Sequence, residues 1–252
     1  MLSKNQIKFI RSLEMKKFRN ETACFLAEGN KLVADILPFF ECEFLIAKAS
    51  WLATQGDIHS KELIIAEEND IDKASLLKTP QDVVAVFRQP QYVLNIETLK
   101  NQLSLVLDGI QDPGNLGTII RLANWFGIKQ IICSNDTADI YNPKTIQASM
   151  GAIAYVQVFY ETLTDFLDKV EDINIYGTFL NGKNIYQETL TNSGLIVMGN
   201  EGKGISLPVE KWINRKLYIP NYPPENESTD SLNVAAATAI VCSEFRRRQA
   251  YC

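Results

Sequence analysis

The residues best suited to chemistry sit in three stretches where an apolar run breaks into polar, glycine-rich sequence. The middle stretch, Leu195 to Ser206, reads LIVMGNEGKGIS and carries one carboxylate, Glu201. Asn200 and Glu201 lie between Gly199 and Gly202, which exposes both side chains and lets backbone approach a ligand closely. A carboxylate so placed can orient ribose hydroxyls or a guanidinium, or it can be a plain surface turn. Upstream, Leu103 to Gly127 reads LSLVLDGIQDPGNLGTIIRLANWFG. There Asp112, Pro113 and Gly114 predict a turn, and Asn115 is placed either to cap the following helix or to meet a substrate. Arg121 falls within two helical turns of Asn115, so its side chain either reaches the strand-end cleft or faces solvent. Downstream, Leu217 to Glu244 reads LYIPNYPPENESTDSLNVAAATAIVCSE. Ile219 and Pro220 end a strand there, and Ser231 and Asn233 open a helix. Val234 stands three residues after Ser231, so no capping box forms. Capping accounts for Ser231 but leaves Asn233 unexplained.

The elements that must position these residues alternate between strand and helix. In the second part of the chain, strands are predicted at 103–107, 130–133, 154–159, 173–179, 195–198 and 216–219, with helices at 116–126, 143–150, 163–170, 207–212 and 231–248. That rhythm predicts a mostly parallel α/β sheet with helices on both faces. Ligands in such sheets collect beyond the strand C-termini, where all three loops fall. The final helix predicts an apolar stripe of Leu232, Ala235, Ala236, Ala239, Ile240 and Phe245. Its terminal Arg246, Arg247 and Arg248 suit the helix dipole. The first part predicts an amphipathic helix over 3–18, then short strands and helices of a small layered α/β/α domain. RQPQY and NIETLKNQ read as a linker, giving domains at 1–93 and 100–252.

Composition excludes several chemistries. The 252 residues hold a single histidine and five widely spaced cysteines with no CxxC, so neither a zinc-ligand pattern nor a disulfide framework is expected. His59 lies in a polar stretch and reads as a surface residue. GNEGKG lacks P-loop spacing, and no GxGxxG with a ribose-binding acid occurs. No metal is expected. The polar start, and apolar runs all short of the roughly 18 residues a bilayer requires, predict a cytoplasmic protein without a membrane segment. The formal charge of -5 argues against indiscriminate coating of nucleic acid. Residues 1–31 nevertheless hold a local excess of four positive charges, a face suited to phosphates.

Taken together, the three loops resemble the three motifs of the SpoU/TrmH family of RNA 2'-O-ribose methyltransferases, in the SPOUT class. The resemblance rests on Asn115, Gly117 and Arg121; on Asn200, Glu201, Gly202 and Gly204; and on Ile219, Pro220, Ser231, Leu232 and Asn233. It implies S-adenosylmethionine as cofactor and a deep trefoil knot in the C-terminal domain. It also implies a homodimer and structured RNA as substrate, ribosomal RNA ahead of transfer RNA. Catalytic roles fall on Arg121, Asn115, Glu201, Ser231 and Asn233. The cofactor pocket would take Gly199, Asn200, Gly202, Ile219, Pro220, Leu232 and Asn233, together with Thr178, Phe179 and Leu180 of the loop GTFLNGK. The block EMKKFRNETACFLAEGNKLV resembles the family's ribosomal-protein-like substrate-binding domain, with Lys16, Lys17 and Arg19 as phosphate contacts. Two departures stand out: the long segment Asn221 to Asp230, and Gln147 where relatives often carry an RNA-facing arginine. Other readings are a transfer RNA methyltransferase, an RNA-binding protein that has lost catalysis, and a base methylase of the same knotted class.

Overall fold

The central strands form where aliphatic runs such as Leu103–Asp108 are buried on both sides. The computed structural model describes residues 2–223 and 231–250, so most of the long Asn221 to Asp230 segment, and Cys252, lie outside the described residues. The chain divides into two compact units: Met1–Gln91 with Asp139–Ala154, and Tyr92–Ala138 with Tyr155–Cys252.

The first unit holds α1 (Lys4–Ser12), α2 (Lys16–Thr22), β1 (Cys24–Glu28), α3 (Asn30–Ile36), β2 (Cys42–Ala47), α4 (Ala49–Leu52), β3 (Glu62–Ile65), α5 (Glu68–Ala74) and β4 (Val83–Arg88). Its four strands run in the order β1-β4-β2-β3; β4 is antiparallel to both its neighbours, and β3 is parallel to β2. The single helix expected over 3–18 is two helices. Ser3 and Gln6 make a capping box for α1, and the chain turns after Ser12 because the Leu13 and Glu14 carbonyls accept hydrogen bonds from Arg19 at 2.8 and 2.7 Å. Arg19 is 1% exposed. Its Nε and Nη2 donate to Asp139 Oδ2 at 3.0 and 2.6 Å. The expected phosphate contact by Arg19 is therefore corrected: its guanidinium is spent inside the unit. Lys16 and Lys17 are exposed on α2, with Lys17 3.8 Å from Glu21.

Helix α8 (Pro143–Ser149) also belongs to this unit. Gln147 Nε2 donates to the Glu28 carbonyl at 2.6 Å, so the side chain that stands where relatives often carry an RNA-facing arginine is a packing contact here. Tyr141 stacks on Phe25 with ring centroids 5.0 Å apart. Burial pushes the Glu28 carboxyl above its usual range, against opposing hydrogen bonds from Ser75 and Leu76.

The second unit adds α6 (Ile96–Leu99), β5 (Leu103–Asp108), α7 (Pro113–Trp125), β6 (Gln130–Ser134), β7 (Gln157–Glu161), α9 (Leu163–Asp168), β8 (Ile175–Asn184), β9 (Gly194–Gly199), α10 (Leu207–Glu210), β10 (Arg215–Tyr218) and α11 (Val234–Ala250). Its six strands run β10-β8-β9-β5-β6-β7, all parallel. The expected strand at 154–159 begins instead at Gln157, because Ala152 and Ile153 are buried in a short 3-10 turn of the first unit. Leu105, Val106, Ile132, Leu195, Ile196 and Val197 form the sheet's buried centre, each worth roughly 1.5–3 kcal/mol of transfer free energy.

Helix α11 buries Ala235 and Phe245 of the expected stripe together with Val234, Thr238, Val241 and Cys242, whereas Leu232 and Ala236 are exposed and Ala239 and Ile240 half-buried. Phe245 meets Tyr176 edge-on at 4.9 Å. At its end, hydrogen bonds from Arg247 and Arg248 hold the Glu244 carboxyl below its usual range despite burial, so those arginines are engaged locally. No helix among the described residues is long and apolar enough to cross a membrane.

Candidate functional site

Strands β5 and β9 are neighbours, so their C-terminal loops emerge side by side. After β5, Asp112 Oδ1 accepts the Asn115 N–H at 2.8 Å and Pro113 takes the first helical position, which starts α7 three residues before the expected point. Asp112 is thus the cap, and of the two roles open to Asn115 capping is ruled out. Its side chain is left for other contacts. Asn115 Nδ2 donates to Glu201 Oε1 at 3.0 Å, and Asn115 Oδ1 accepts from Asn233 Nδ2 at 3.1 Å. Asn233 Oδ1 in turn accepts the N–H groups of Ala235 and Ala236 at 2.9 and 3.3 Å. Asn233, not Ser231, therefore caps α11.

This chain of contacts has one direction. The α11 cap fixes Asn233 Oδ1 as an acceptor, so its amide nitrogen must donate to Asn115, whose own nitrogen must then donate to a carboxylate. The three motif loops are joined through Asn115, Glu201 and Asn233. Asn233→Ala is expected to cost about 1 kcal/mol of stability through the lost cap, a melting shift of roughly 2–4 °C. Asn233→Asp keeps the cap but replaces the donor with an acceptor facing Asn115. Thermal melts should separate the two variants, while ligand binding at the joined loops should be impaired in both; an unimpaired Asn233→Asp would contradict the role of the link.

Asn200 is consumed by its own loop and the neighbouring loop after β5. Its Nδ2 donates to the Gly109 carbonyl at 2.6 Å, and its Oδ1 accepts the Gly202 and Lys203 N–H groups at 2.9 and 3.0 Å. Its backbone pairs with Gly204 in both directions, at 3.0 and 2.9 Å. A Cβ on Gly199 would overlap the Gly204 carbonyl carbon and the Ile205 nitrogen, so only glycine permits this closure. Asn200 shapes the loop, and the exposed Glu201 and Gly202 are the parts that face outward. Ser206 N–H donates to Asp108 Oδ2 at 2.7 Å, tying the far side of the loop to the end of β5.

Across the sheet, β10 pairs with β8 up to Gly177 opposite Lys216, then resumes at Lys183 opposite Leu217. Residues 178–182 have no partner on either neighbouring strand and form an outward loop. Gly182 permits the return, since a Cβ there would meet the Leu217 backbone at 2.5 Å. Thr178 and Phe179 are half-buried, Leu180 is exposed, and Ile219 and Pro220 are half-buried at the end of β10. Lys216 Nζ lies 4.7 Å above the Phe179 ring. Apolar walls, unpaired loop backbone and the Glu201 carboxylate form a donor set that fits an adenosine linked to a positively charged sulfur. Ser231 and Leu232 are exposed beside Asn233.

Arg121 is exposed on α7 with no hydrogen bond or ion pair among the described residues, so its guanidinium is available to a ligand. Thiol chemistry is disfavoured: Cys24, Cys42, Cys133 and Cys242 are all buried, and burial pushes the Cys42 and Cys242 thiols up to about 12. No group of three or more His, Cys, Asp or Glu side chains that could hold a metal occurs among the described residues. Concavities of about 750 and 420 Å³ open elsewhere, around residues 34–61 and at the N-terminal end of β8. Neither includes these residues; the candidate site is built from converging loops. Sequence reasoning missed Asp108, Asp112 and the Asn115–Asn233 bond; the Asp-Pro pair was the readable signal for Asp112.

Over residues 102–243 the chain matches the SpoU rRNA Methylase family, and over residues 4–85 the MRM3-like substrate binding domain. It is similar to the 23S rRNA (guanosine(2553)-2'-O)-methyltransferase RlmP of Bacillus subtilis, at 32% identity over 250 residues and 97% of each chain. A putative RNA methyltransferase of the TrmH family from Porphyromonas gingivalis has a similar structure, with a TM-score of 0.90 at 43% identity over 98% of this chain and 99% of that one. The AdoMet-bound rRNA methyltransferase from Sinorhizobium meliloti gives 0.85 at 29% identity, over 100% and 97%.

Proposed function

The chain belongs to the SpoU rRNA methylase family, and from that membership together with the site geometry we propose that it methylates a ribose 2'-hydroxyl of ribosomal RNA with S-adenosylmethionine. The observation that carries this reading is the hydrogen-bonded run Glu201–Asn115–Asn233, which holds the three motif loops at one place. When bound, S-adenosylmethionine supplies an electrophilic methyl group on a positively charged sulfur.

The protein's part is alignment and charge. Residues 178–180, Gly199, Gly202, Ile219, Pro220 and Leu232 form the walls and backbone edges for the cofactor, with Asn200 closing the loop behind them. Glu201 places a carboxylate where it balances positive charge. Ser231 and Asn233 face the methionine end of the cofactor or the attacking ribose. Arg121 engages the substrate phosphate and steadies the charge that develops as the hydroxyl loses its proton. An arginine, with a reference pKa above roughly 12, stays protonated, so this electrostatic role is preferred to that of a free base.

Residues 1–93 bind the RNA, with Lys16 and Lys17 meeting phosphates and fixing orientation. The match over residues 4–85 to a substrate binding domain supports this. The catalytic domain, expected over 100–252, is the second unit, Tyr92–Ala138 with Tyr155–Cys252, with the knotted C-terminal passage of its class. The protein works as a homodimer in the cytoplasm; Trp125, 80% exposed near the end of α7, supports a partner surface beside the Arg121 helix.

Incubating the purified protein with labelled S-adenosylmethionine and separated ribosomal and transfer RNA tests the substrate class. Label in ribosomal RNA alone is expected. Label confined to transfer RNA would overturn the substrate, and cofactor binding without transfer to either RNA would favour an RNA-binding protein that has lost catalysis.

A further inference from the structure

We propose that Asp136 is a specificity-determining residue that recognises guanine as the base of the methylated nucleotide. The proposal rests on the RNA-methylation reading above and extends it to the base. Asp136 lies just beyond the end of β6 and is exposed. Its Oδ1 accepts a hydrogen bond from Ser134 Oγ at 2.6 Å. The same hydroxyl accepts the Gly109 N–H at 2.8 Å and lies 2.9 Å from Thr137 Oγ1. Ser134 and Thr137 are buried, so the carboxylate is held in one orientation by a network that includes the first motif loop. Its second oxygen accepts no hydrogen bond among the described residues.

That free oxygen lies beside the first and second motif loops. Asp136 Oδ2 lies 3.3 Å from where a Cβ on Gly109 would stand, and Asn200 Cβ lies 3.7 Å from the same point. Gly109 has φ +73°, and any side chain there would crowd the Asp136 carboxylate against the second motif loop. The strand order then separates two roles. Cofactor loops leave β10, β8 and β9; β5 carries Asn115 and Arg121; and β6 with Asp136 lies on the far side of β5 from the cofactor. A ribose held over β5 between cofactor and Arg121 leaves the β6 side for its base.

An ionised carboxylate repels phosphodiesters and only accepts hydrogen bonds, so on this rim it suits a base edge and not the RNA backbone. Guanine offers two adjacent donors, N1–H and the N2 amine. Adenine and cytosine set a ring acceptor beside their amine, and uracil flanks its N–H with two carbonyls, so each would turn a lone pair toward the carboxylate. Guanine is the base that fits.

The test uses the full chain, its Asp136→Asn variant and unmodified large-subunit ribosomal RNA. After labelled methyl transfer, the modified nucleoside is located by mass spectrometry, and that position is then replaced by inosine, which lacks the N2 amine. We expect 2'-O-methylguanosine from the parent protein. Asp136→Asn should lower kcat/KM for RNA roughly 10- to 100-fold, the range for a lost bidentate base contact, with S-adenosylmethionine affinity unchanged. Inosine should penalise the parent and not the variant. Methylation of another nucleoside, an undiminished variant, or an equal inosine penalty in both proteins would overturn the inference while leaving the methyltransferase reading intact. No transfer by the parent protein would overturn that reading and this inference with it.

Discussion

Arg121→Ala is expected to lower the rate of methyl transfer roughly 100- to 1,000-fold, the range seen when a group that stabilises developing charge is removed. Cofactor affinity and melting temperature should stay close to those of the parent. The separation of effects follows from the surroundings of the side chain. Arg121 is exposed and pairs with nothing among the described residues, so its loss belongs with surface substitutions, usually within about 0.5 kcal/mol. The helix that carries it is anchored independently, by the Asp112 cap and by Asn115 on Glu201. Arg121→Lys keeps the charge but loses the planar fork that fits a phosphate, and should fall between parent and alanine. Steady-state kinetics with calorimetry of cofactor binding would check this. A rate for Arg121→Ala within twofold of the parent would remove Arg121 from the mechanism.

Arg19→Ala should act in the opposite manner, through stability. Its guanidinium is buried against Asp139 and satisfies two main-chain carbonyls. Removing one partner of a buried pair strands the other, at a cost of roughly 3–5 kcal/mol. A melting temperature lower by on the order of 10 °C is expected. The apolar double replacement Arg19→Met with Asp139→Leu should be less damaging than Arg19→Ala alone, because no buried charge remains unpaired. Lys16→Ala and Lys17→Ala provide the contrast. Both side chains are exposed, so neither should move the melt, while each should weaken RNA binding and flatten its salt dependence by about one counterion. A stable Arg19→Ala protein with selectively weakened RNA binding would return Arg19 to the phosphate surface.

These two arginines illustrate what the sequence makes legible. The place of Arg121 on an exposed helix position was readable because its helix follows a clear strand-and-turn pattern. Arg19 was misread because KKFR looks uniformly basic, while the partner that buries it is distant in sequence: Asp139 lies in a segment that packs with the first unit. The contact of Gln147 with the Glu28 carbonyl was hidden for the same reason. Local periodicity located most strands, since a run such as LSLVLD has few alternatives to a buried strand. It failed at helix starts, where one side-chain cap decides the boundary: Asp112 moved the start of α7 earlier, and Asn233 moved the start of α11 later. The link between Asn115 and Asn233 joins residues 118 positions apart. No spacing rule reveals it, because it exists only once the sheet has set the loops side by side.

Alkaline hydrolysis of the labelled ribosomal RNA shows whether the methyl group goes to a ribose oxygen. Methylation of the 2'-hydroxyl removes the nucleophile that alkali uses to cut the adjoining phosphodiester bond. The label should therefore emerge in an alkali-resistant dinucleotide and, after complete enzymatic digestion, in a single 2'-O-methylnucleoside. Label recovered in mononucleotides after alkali would place the methyl group on a base and contradict the account.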